Sequence, residues 1–120
     1  MSNKKQKILF FITEDWYFYS HRLKLACSAR EAGYKVYIAT RLSKYEKEIK
    51  DRGLHVIPLK HLKRRRKNPF LELISIIEII NIYIRIKPSI VHHVALKPIL
   101  YGSIAARITK VPIIINAFAG

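Results

Sequence analysis

Residues 89–101 have the sequence SIVHHVALKPILY, in which a short apolar run is followed by Lys97 and Pro98. The apolar run predicts a buried strand, and a proline is well tolerated in the first turn of a helix. We therefore expect a strand, a tight turn and a helix, with His92 and His93 at the carboxyl end of the strand. Ligands of open parallel α/β sheets bind in the crevice beyond such strand ends. This segment is the first candidate for a binding crevice.

The amino-terminal part of the chain has the same arrangement. An apolar run over residues 7–13 predicts a strand that is buried on both faces, and polar residues follow it. A helix is predicted over residues 17–32, with His21 and Arg22 near its start. We expect the loop after this first strand and the loop after the histidine pair to form two walls of one cleft.

The rest of the chain continues the alternation of strands and helices. Apolar runs predict further strands over residues 35–40, 54–59, 89–94 and 112–117. Helical patterns lie between them over residues 44–52, 69–86 and 98–109, and Ser43 with Glu46 matches a capping box for the first of these helices. Such alternation predicts a parallel sheet with right-handed crossovers. The predicted fold class is α/β, a Rossmann-like parallel sheet with helices on both faces, in a single domain over residues 1–120.

The composition restricts the compartment and the partners. The 120 residues include 23 Lys and Arg, 8 Asp and Glu and one cysteine, for a formal net charge of +15. A single cysteine excludes an internal disulfide framework and favours a reducing compartment. The positive charge predicts attraction to polyanions such as anionic lipid head groups, phosphorylated substrates or nucleic acid. No apolar run has the length of a signal peptide or a membrane span, so we expect a cytoplasmic protein that attaches to a membrane surface.

A strongly basic segment lies near the middle of the chain. Residues 60–67, KHLKRRRK, carry six Lys or Arg side chains next to the very apolar helix predicted over residues 69–86. This combination is typical of an interfacial membrane anchor, which gains roughly 1 kcal/mol per basic residue at an anionic surface. The alternative is a solvated loop. The residues predicted to contact the membrane surface are Lys63, Arg64, Arg65, Arg66 and Lys67.

Two longer segments carry a family resemblance. They are TEDWYFYSHRLKLACSAREAGYKVYIATR, residues 13–41, and KPSIVHHVALKPILYGSIAARITKVPIIINAFAG, residues 87–120. These segments resemble the N-terminal domain of GT-B glycosyltransferases of family four, in the bacterial branch that acts on lipid-linked sugars for surface polysaccharide. Three positions depart from the family pattern: Ser89 replaces a common aspartate, Val94 replaces the second histidine of a His-x-His motif, and Lys110 replaces a helix-ending glycine, which is expected to strain the turn.

The resemblance implies a two-domain enzyme with its chemistry in the cleft between the domains, and with no essential metal or other cofactor. The N-terminal domain shapes the acceptor site, and the C-terminal domain holds most of the nucleotide-sugar donor. This sequence resembles the first domain only, so the chain alone is expected to be inactive. The implied function is transfer of a hexose or N-acetylhexosamine to a polyprenyl-diphosphate-linked glycan acceptor, at the cytosolic face of the inner membrane.

Seven residues form the predicted site. His93 and His21 are the predicted catalytic residues, and the predicted substrate-binding residues are Arg22, Lys97, His92, Asp15 and Trp16. A histidine can orient a sugar hydroxyl, an arginine fork suits a diphosphate, and a lysine at a helix N-terminus strengthens an anion site. Because His92 and His93 are adjacent on a strand, they should point to opposite faces. His93 is expected to face the cleft, whereas His92 can instead be a hydrogen-bonded core residue.

The other site residues also have structural alternatives. Arg22 could form a salt bridge with Glu14 or Asp15, Lys97 could be solvated, and the aromatic residues around Trp16 could pack under their loop. Metal binding is not expected, because no cysteine or third histidine lies at ligand spacing. No GxGxxG follows the first strand and no GxxxxGK[ST] occurs, which argues against a dinucleotide dehydrogenase and a P-loop enzyme.

Other functions are also compatible with the sequence. One is a non-catalytic, membrane-recruiting subunit of a split glycosyltransferase whose donor domain is a separate chain. A related alternative is an inactive, truncated remnant of the enzyme. The net charge alone would also suit a nucleic-acid binder, but the chain lacks a recognition-helix motif and an aromatic–basic strand pattern. Nucleic acid is therefore not an expected partner.

Overall fold

The computed structural model describes residues 5–62 and 68–118. These residues form five strands and five helices in the order β1 (Lys7–Glu14), α1 (Asp15–His21), α2 (Leu23–Glu31), β2 (Lys35–Arg41), α3 (Glu46–Asp51), β3 (His55–Pro58), α4 (Pro69–Ile86), β4 (Ile90–Val94), α5 (Leu96–Ile108) and β5 (Ile113–Ala117). The strands pair in parallel in one sheet with the order β3-β2-β1-β4-β5. The predicted Rossmann-like α/β fold is confirmed.

The strand register divides the core into two layers. Phe10 of β1 lies opposite His92 of β4, and the next residue, Phe11, lies opposite His93. The Phe10 face packs against α1, α2 and α3, and the Phe11 face packs against α4 and α5. The two adjacent histidines therefore point to opposite faces of the sheet, as expected from the period of a strand.

Two local predictions about helices differ from the structure. The helix predicted over residues 17–32 is divided into α1 and α2, because Arg22 between them has the non-helical angles φ −126° and ψ −4°. The predicted capping box of Ser43 and Glu46 is wrong. α3 begins at Glu46 without a side-chain cap, and the Ser43 hydroxyl instead donates a hydrogen bond to Asp15.

The ends of α4 and α5 follow from local residue chemistry. The Asn68 side chain caps α4 by accepting a hydrogen bond from the Phe70 N–H at 3.0 Å, and Pro69 occupies the first helical position, where its missing N–H does no harm. After α5, Lys110 has a φ of 61°. This left-handed conformation is the strain that was expected where a lysine replaces glycine.

No helix within the two described ranges combines the length and the apolar character needed to cross a membrane. The longest, α4, has 18 residues and includes Glu72, Glu78 and Arg85.

Candidate functional site

The candidate site lies beyond the carboxyl ends of β1 and β4. β1 pairs with β2 on one side and with β4 on the other, so the chain winds away from this point in both directions and a crevice forms there. β4 continues through Ala95 into α5. Ala95 has φ 78° and ψ 173°, a backbone region that is essentially restricted to glycine. Its N–H donates to the Ala117 carbonyl at 3.0 Å, which fixes the start of α5 at the edge of the crevice.

His93 is enclosed in the core on the α4–α5 side of the sheet. Its side chain is fully buried. The Nε2 atom lies 2.8 Å from the Tyr83 hydroxyl, and the Nδ1 atom lies 2.8 Å from the Asn116 Oδ1 atom. Because that amide oxygen can only accept, Nδ1 carries the proton and Nε2 accepts from the tyrosine. Both ring nitrogens therefore have partners inside the protein.

The surroundings of His93 keep its ring neutral. Burial, which outweighs the hydrogen bond with Asn116, lowers the pKa of His93 from 6.5 to about 4. Gly102 of α5 lies directly against the ring, because a Cβ at that position would be 2.3 Å from Nε2. These are the features of a hydrogen-bonded core histidine. A catalytic role for His93 stays a prediction, and it would require the ring to become accessible to substrate.

His92 lies on the other face and differs from its neighbour. Its ring centroid is 5.0 Å from that of Phe10, and its side chain keeps 8% of its exposure. Within the described residues, its buried Nε2 atom has no hydrogen-bond partner. Burial, and to a smaller extent the charge of Arg22, lowers the pKa of His92 below its ordinary value of 6.5. His92 is therefore a neutral ring with a hydrogen-bonding nitrogen that no described group uses.

His21 and Arg22 lie at the break between α1 and α2. The exposed His21 ring stacks on Tyr17 with a centroid distance of 4.1 Å, and the Arg22 guanidinium donates to the His21 carbonyl at 3.2 Å. The acids proposed as salt-bridge partners of Arg22 have other partners. Glu14 pairs with Arg41 at 2.8 Å, and Asp15 binds the loop before α3. The charge of Arg22 contributes, after burial, to the lowered pKa of His92.

Asp15 fixes the loop between β2 and α3. Its fully buried carboxylate accepts hydrogen bonds from the N–H groups of Ser43, Lys44 and Tyr45 at 2.9, 3.1 and 2.9 Å, and from the Ser43 hydroxyl at 2.6 Å. Burial alone would raise the pKa of Asp15, but these hydrogen bonds outweigh it and hold the pKa below 3.8. Substrate binding by Asp15 stays a prediction, since its oxygens already serve four donors.

The aromatic cluster of α1 is divided between the core and the surface. Phe18 is fully buried, whereas Trp16 keeps 39% of its exposure. Tyr19 stacks on Tyr45 with a centroid distance of 4.5 Å, and Trp16 meets Tyr17 edge to face at 5.8 Å. The packing alternative therefore applies to most of the cluster. Trp16 is the member whose surface is available to a ligand.

Lys97 joins α5 to α4. Its ammonium group forms an ion pair with Glu72, whose carboxylate also accepts a hydrogen bond from Tyr101 at 3.1 Å. Both charged side chains are mostly buried, so the positive charge of Lys97 is largely compensated within the protein. Anion binding by Lys97 stays a prediction.

The structure does not describe the predicted membrane-surface residues. All five of them lie outside the described ranges: Lys63, Arg64, Arg65, Arg66 and Lys67.

Comparison with known proteins identifies the family. A profile described as glycosyl transferase 4-like matches residues 7–120. The chain belongs to the glycosyl transferase 4-like family. No curated protein matches the chain. The match agrees with the α/β fold described above.

Solved structures share the fold of this glycosyl transferase 4-like domain at low sequence identity. A glycosyltransferase from Rickettsia africae has 19% identity and a TM-score of 0.75 over 94% of this chain and 29% of its own. MurG from Acinetobacter baumannii has 16% identity and a TM-score of 0.73 over 93% and 35%. VinC, solved in complex with dTDP, has 17% identity and a TM-score of 0.67 over 93% and 34%. The chain spans about a third of the length of these proteins.

Proposed function

We propose that this domain forms the acceptor side of a glycosyltransferase. The enzyme would transfer a hexose or N-acetylhexosamine from a nucleotide-sugar to a polyprenyl-diphosphate-linked glycan during surface polysaccharide synthesis. The observation that carries the proposal is the buried Nε2 atom of His92, which has no hydrogen-bond partner among the described residues and lies at the strand edge where α/β folds bind ligands. Arg22 is the nearby positive charge, since it contributes to the lowered pKa of His92. Family membership supplies the reaction class.

The two groups suit different parts of such an acceptor. A guanidinium matches two oxygens of a diphosphate at once and remains charged at every physiological pH. A neutral imidazole nitrogen can accept a hydrogen bond from a sugar hydroxyl and orient it. Trp16 offers an exposed ring for a sugar face. His21 lies next to Arg22 and is the second group of this wall that could exchange a proton with the acceptor.

The donor enters the proposal as a substrate and not as a cofactor. Because the chain spans about a third of the structures it resembles, the remaining part of such an enzyme would bind most of the nucleotide-sugar. This domain alone would then bind acceptor without transferring sugar. The basic segment over residues 60–67 would keep the protein at the cytosolic face of the inner membrane, where a lipid-linked acceptor is found.

Acceptor binding can be measured without catalysis. Trp16 is the single tryptophan of the chain, so its fluorescence reports on this site alone. We expect a saturable fluorescence change when a polyprenyl-diphosphate-linked N-acetylhexosamine is added in detergent, and none with the dephosphorylated polyprenol. In Arg22→Ala the affinity should fall at least about tenfold, because hydrogen bonds to a charged group contribute about 1.5–3 kcal/mol.

The matched control is Arg107→Ala, an equal charge change on the exposed last turn of α5. This variant should bind the acceptor like the parent protein. Equal loss in both variants would mean that net charge and not the crevice attracts the ligand. Unchanged binding in Arg22→Ala would overturn the proposed acceptor site.

A further inference from the structure

A second cleft lies at the amino edge of the sheet, opposite the crevice. Its volume is about 560 Å³, within the range of about 300–1,000 Å³ that is usual for small-molecule sites. The neighbouring strands β1, β2 and β3 each contribute their first residue to its lining: Lys7, Lys35 and His55. Arg30 of α2 and Gly53, which follows α3, complete the lining on the helical side. We name this site the amino-edge cleft.

The lining of the amino-edge cleft is basic. Four of its side chains are cations at neutral pH: Lys5, Lys7, Arg30 and Lys35. Among the described residues, no carboxylate lines the cleft or forms an ion pair with any of these cations. Glu31 follows Arg30 in the chain but does not line the cleft. Because like charges repel one another, an anion that entered the cleft would relieve an unfavourable interaction.

Local contacts hold the strand residues at the cleft. Lys7 and Lys35 lie opposite each other in the β1–β2 pair. The Lys7 ammonium donates a hydrogen bond to the Ile86 carbonyl at 3.0 Å, and because an ammonium has three donors, it can still donate to a ligand. The Lys35 ammonium lies 5.7 Å from the centroid of the Tyr37 ring, and that ring stacks on His55 at a centroid distance of 5.1 Å.

Gly53 gives the Arg30 guanidinium its place in the cleft. A Cβ at position 53 would lie 2.3 Å from the Nε atom and 2.6 Å from the Cζ atom of Arg30, so the guanidinium lies directly against the glycine. Arg30 also has a structural alternative, because a basic residue in the last turn of α2 stabilises the end of the helix. That role alone would make Arg30 important for stability but not for binding an anion.

We propose that the amino-edge cleft binds the oligophosphate group of a soluble ligand. A guanidinium matches two phosphate oxygens at once, and lysines add point charges beside it. A chain of several phosphates can reach more of the four cations than a single phosphate can. Among the described residues, none of the exposed large apolar side chains lines the cleft, so the lining offers no surface to an acyl chain. The site is independent of the proposed acceptor site, which lies at the other edge of the sheet.

Isothermal titration calorimetry with inorganic triphosphate tests the proposal. The full chain is titrated without divalent cations, at low and at moderate salt, and orthophosphate is the second probe. The test variant is Arg30→Gln with Lys35→Gln. The control is Lys24→Gln with Arg107→Gln, which removes the same two charges from exposed positions of α2 and α5 outside the cleft. Circular dichroism checks that each variant is folded.

We expect the parent and the control to bind triphosphate with similar affinity, and the test variant to bind at least about tenfold more weakly. Each hydrogen bond from a charged donor to a phosphate contributes about that factor or more. The affinity should fall as salt is added. Equal losses in the test and control variants would overturn the proposal, because net charge alone would then attract the ligand. So would a parent that does not bind triphosphate, unchanged binding in the test variant, or equal affinity for orthophosphate.

A second measurement needs no substitution. Burial, and to a smaller extent the positive charge of Lys35, lowers the pKa of His55 below 6.5. Bound triphosphate should raise the pH midpoint of the His55 ring signals in NMR titrations, because it offsets the charge of Lys35. The ring signals of His21, at the break between α1 and α2, should not respond to triphosphate. Equal responses of both rings, or no response of His55, would overturn binding in this cleft.

Discussion

Gly102→Ala should destabilise the domain although alanine is the better helix former. The new Cβ would lie 2.3 Å from Nε2 and 2.4 Å from Cδ2 of His93, which is far inside van der Waals contact. The ring cannot turn away without losing its hydrogen bonds to Tyr83 and Asn116, both 2.8 Å long. The substitution therefore sets helix propensity against a buried polar cluster.

The net change in the free energy of unfolding is the cost of the close contact less the gain in helix propensity. Loss of the two hydrogen bonds costs about 1 kcal/mol each, and overpacking of a dense core costs about 1–3 kcal/mol if α5 moves instead. Replacement of glycine by alanine in a helix interior returns about 1 kcal/mol. We expect a decrease of about 1 kcal/mol in the free energy of unfolding, which lowers the urea midpoint by about 0.5 M in a small protein.

A double-mutant cycle separates the clash from any other effect of the alanine. His93→Ala, combined with Tyr83→Phe so that no buried hydroxyl is left without a partner, removes the ring that the Cβ would meet. In this background Gly102→Ala should be neutral or should stabilise by up to about 1 kcal/mol. Urea unfolding followed by circular dichroism gives all four values. An equal loss in both backgrounds would refute the explanation from close contact with His93.

Two further predictions concern titration. Asp15→Asn should cost about 2 kcal/mol at neutral pH, because an amide cannot serve the four donors that the carboxylate serves. The pKa of Asp15 is below 3.8 in the folded protein, so this stabilisation is present above the unfolded pKa and is lost in acid. If the stability difference between Asp15→Asn and the parent stays constant down to about pH 3 in urea titrations, the prediction is contradicted. For His93 the pKa is about 4 in the folded protein and 6.5 in the unfolded chain. As the pH is lowered from 6.5 to 4, the unfolded chain therefore binds the proton first, and the free energy of unfolding should decrease by up to about 3 kcal/mol. His93→Gln should flatten this slope, and an unchanged slope would assign the effect to other groups.

The fold could be predicted from the sequence because each strand is a separate apolar run with a helical pattern after it. Strands of a sheet that is covered on both faces are apolar on both sides, so a continuous apolar run predicts such a strand without an alternation of polar and apolar residues. Local backbone changes leave no such signal. Arg22 interrupts one periodic helix only through its angles φ −126° and ψ −4°, and the hydrophobic period continues across the break.

The site was less predictable because its hydrogen bonds join residues far apart in the chain. The strand period correctly separates His92 from His93, but it does not indicate which face is closed. That is decided by Gly102, which lets α5 approach the sheet, and by Tyr83 and Asn116, the partners of the His93 ring. A glycine inside a helix and an asparagine inside the run PIIINA were the available signals. Each is informative only once the strand pairing is known.

The crevice itself depends on one residue without a functional side chain. Ala95 occupies a backbone region that costs an alanine about 1–3 kcal/mol. Its N–H is held by Ala117 of β5, and its carbonyl accepts the Ile99 N–H of α5, both at 3.0 Å. These hydrogen bonds to β5 and to α5 stabilise the strained backbone of Ala95, and the turn at this residue determines where α5 begins. Because Lys97 pairs with Glu72 close to that turn, the charge at the start of α5 is largely compensated within the protein.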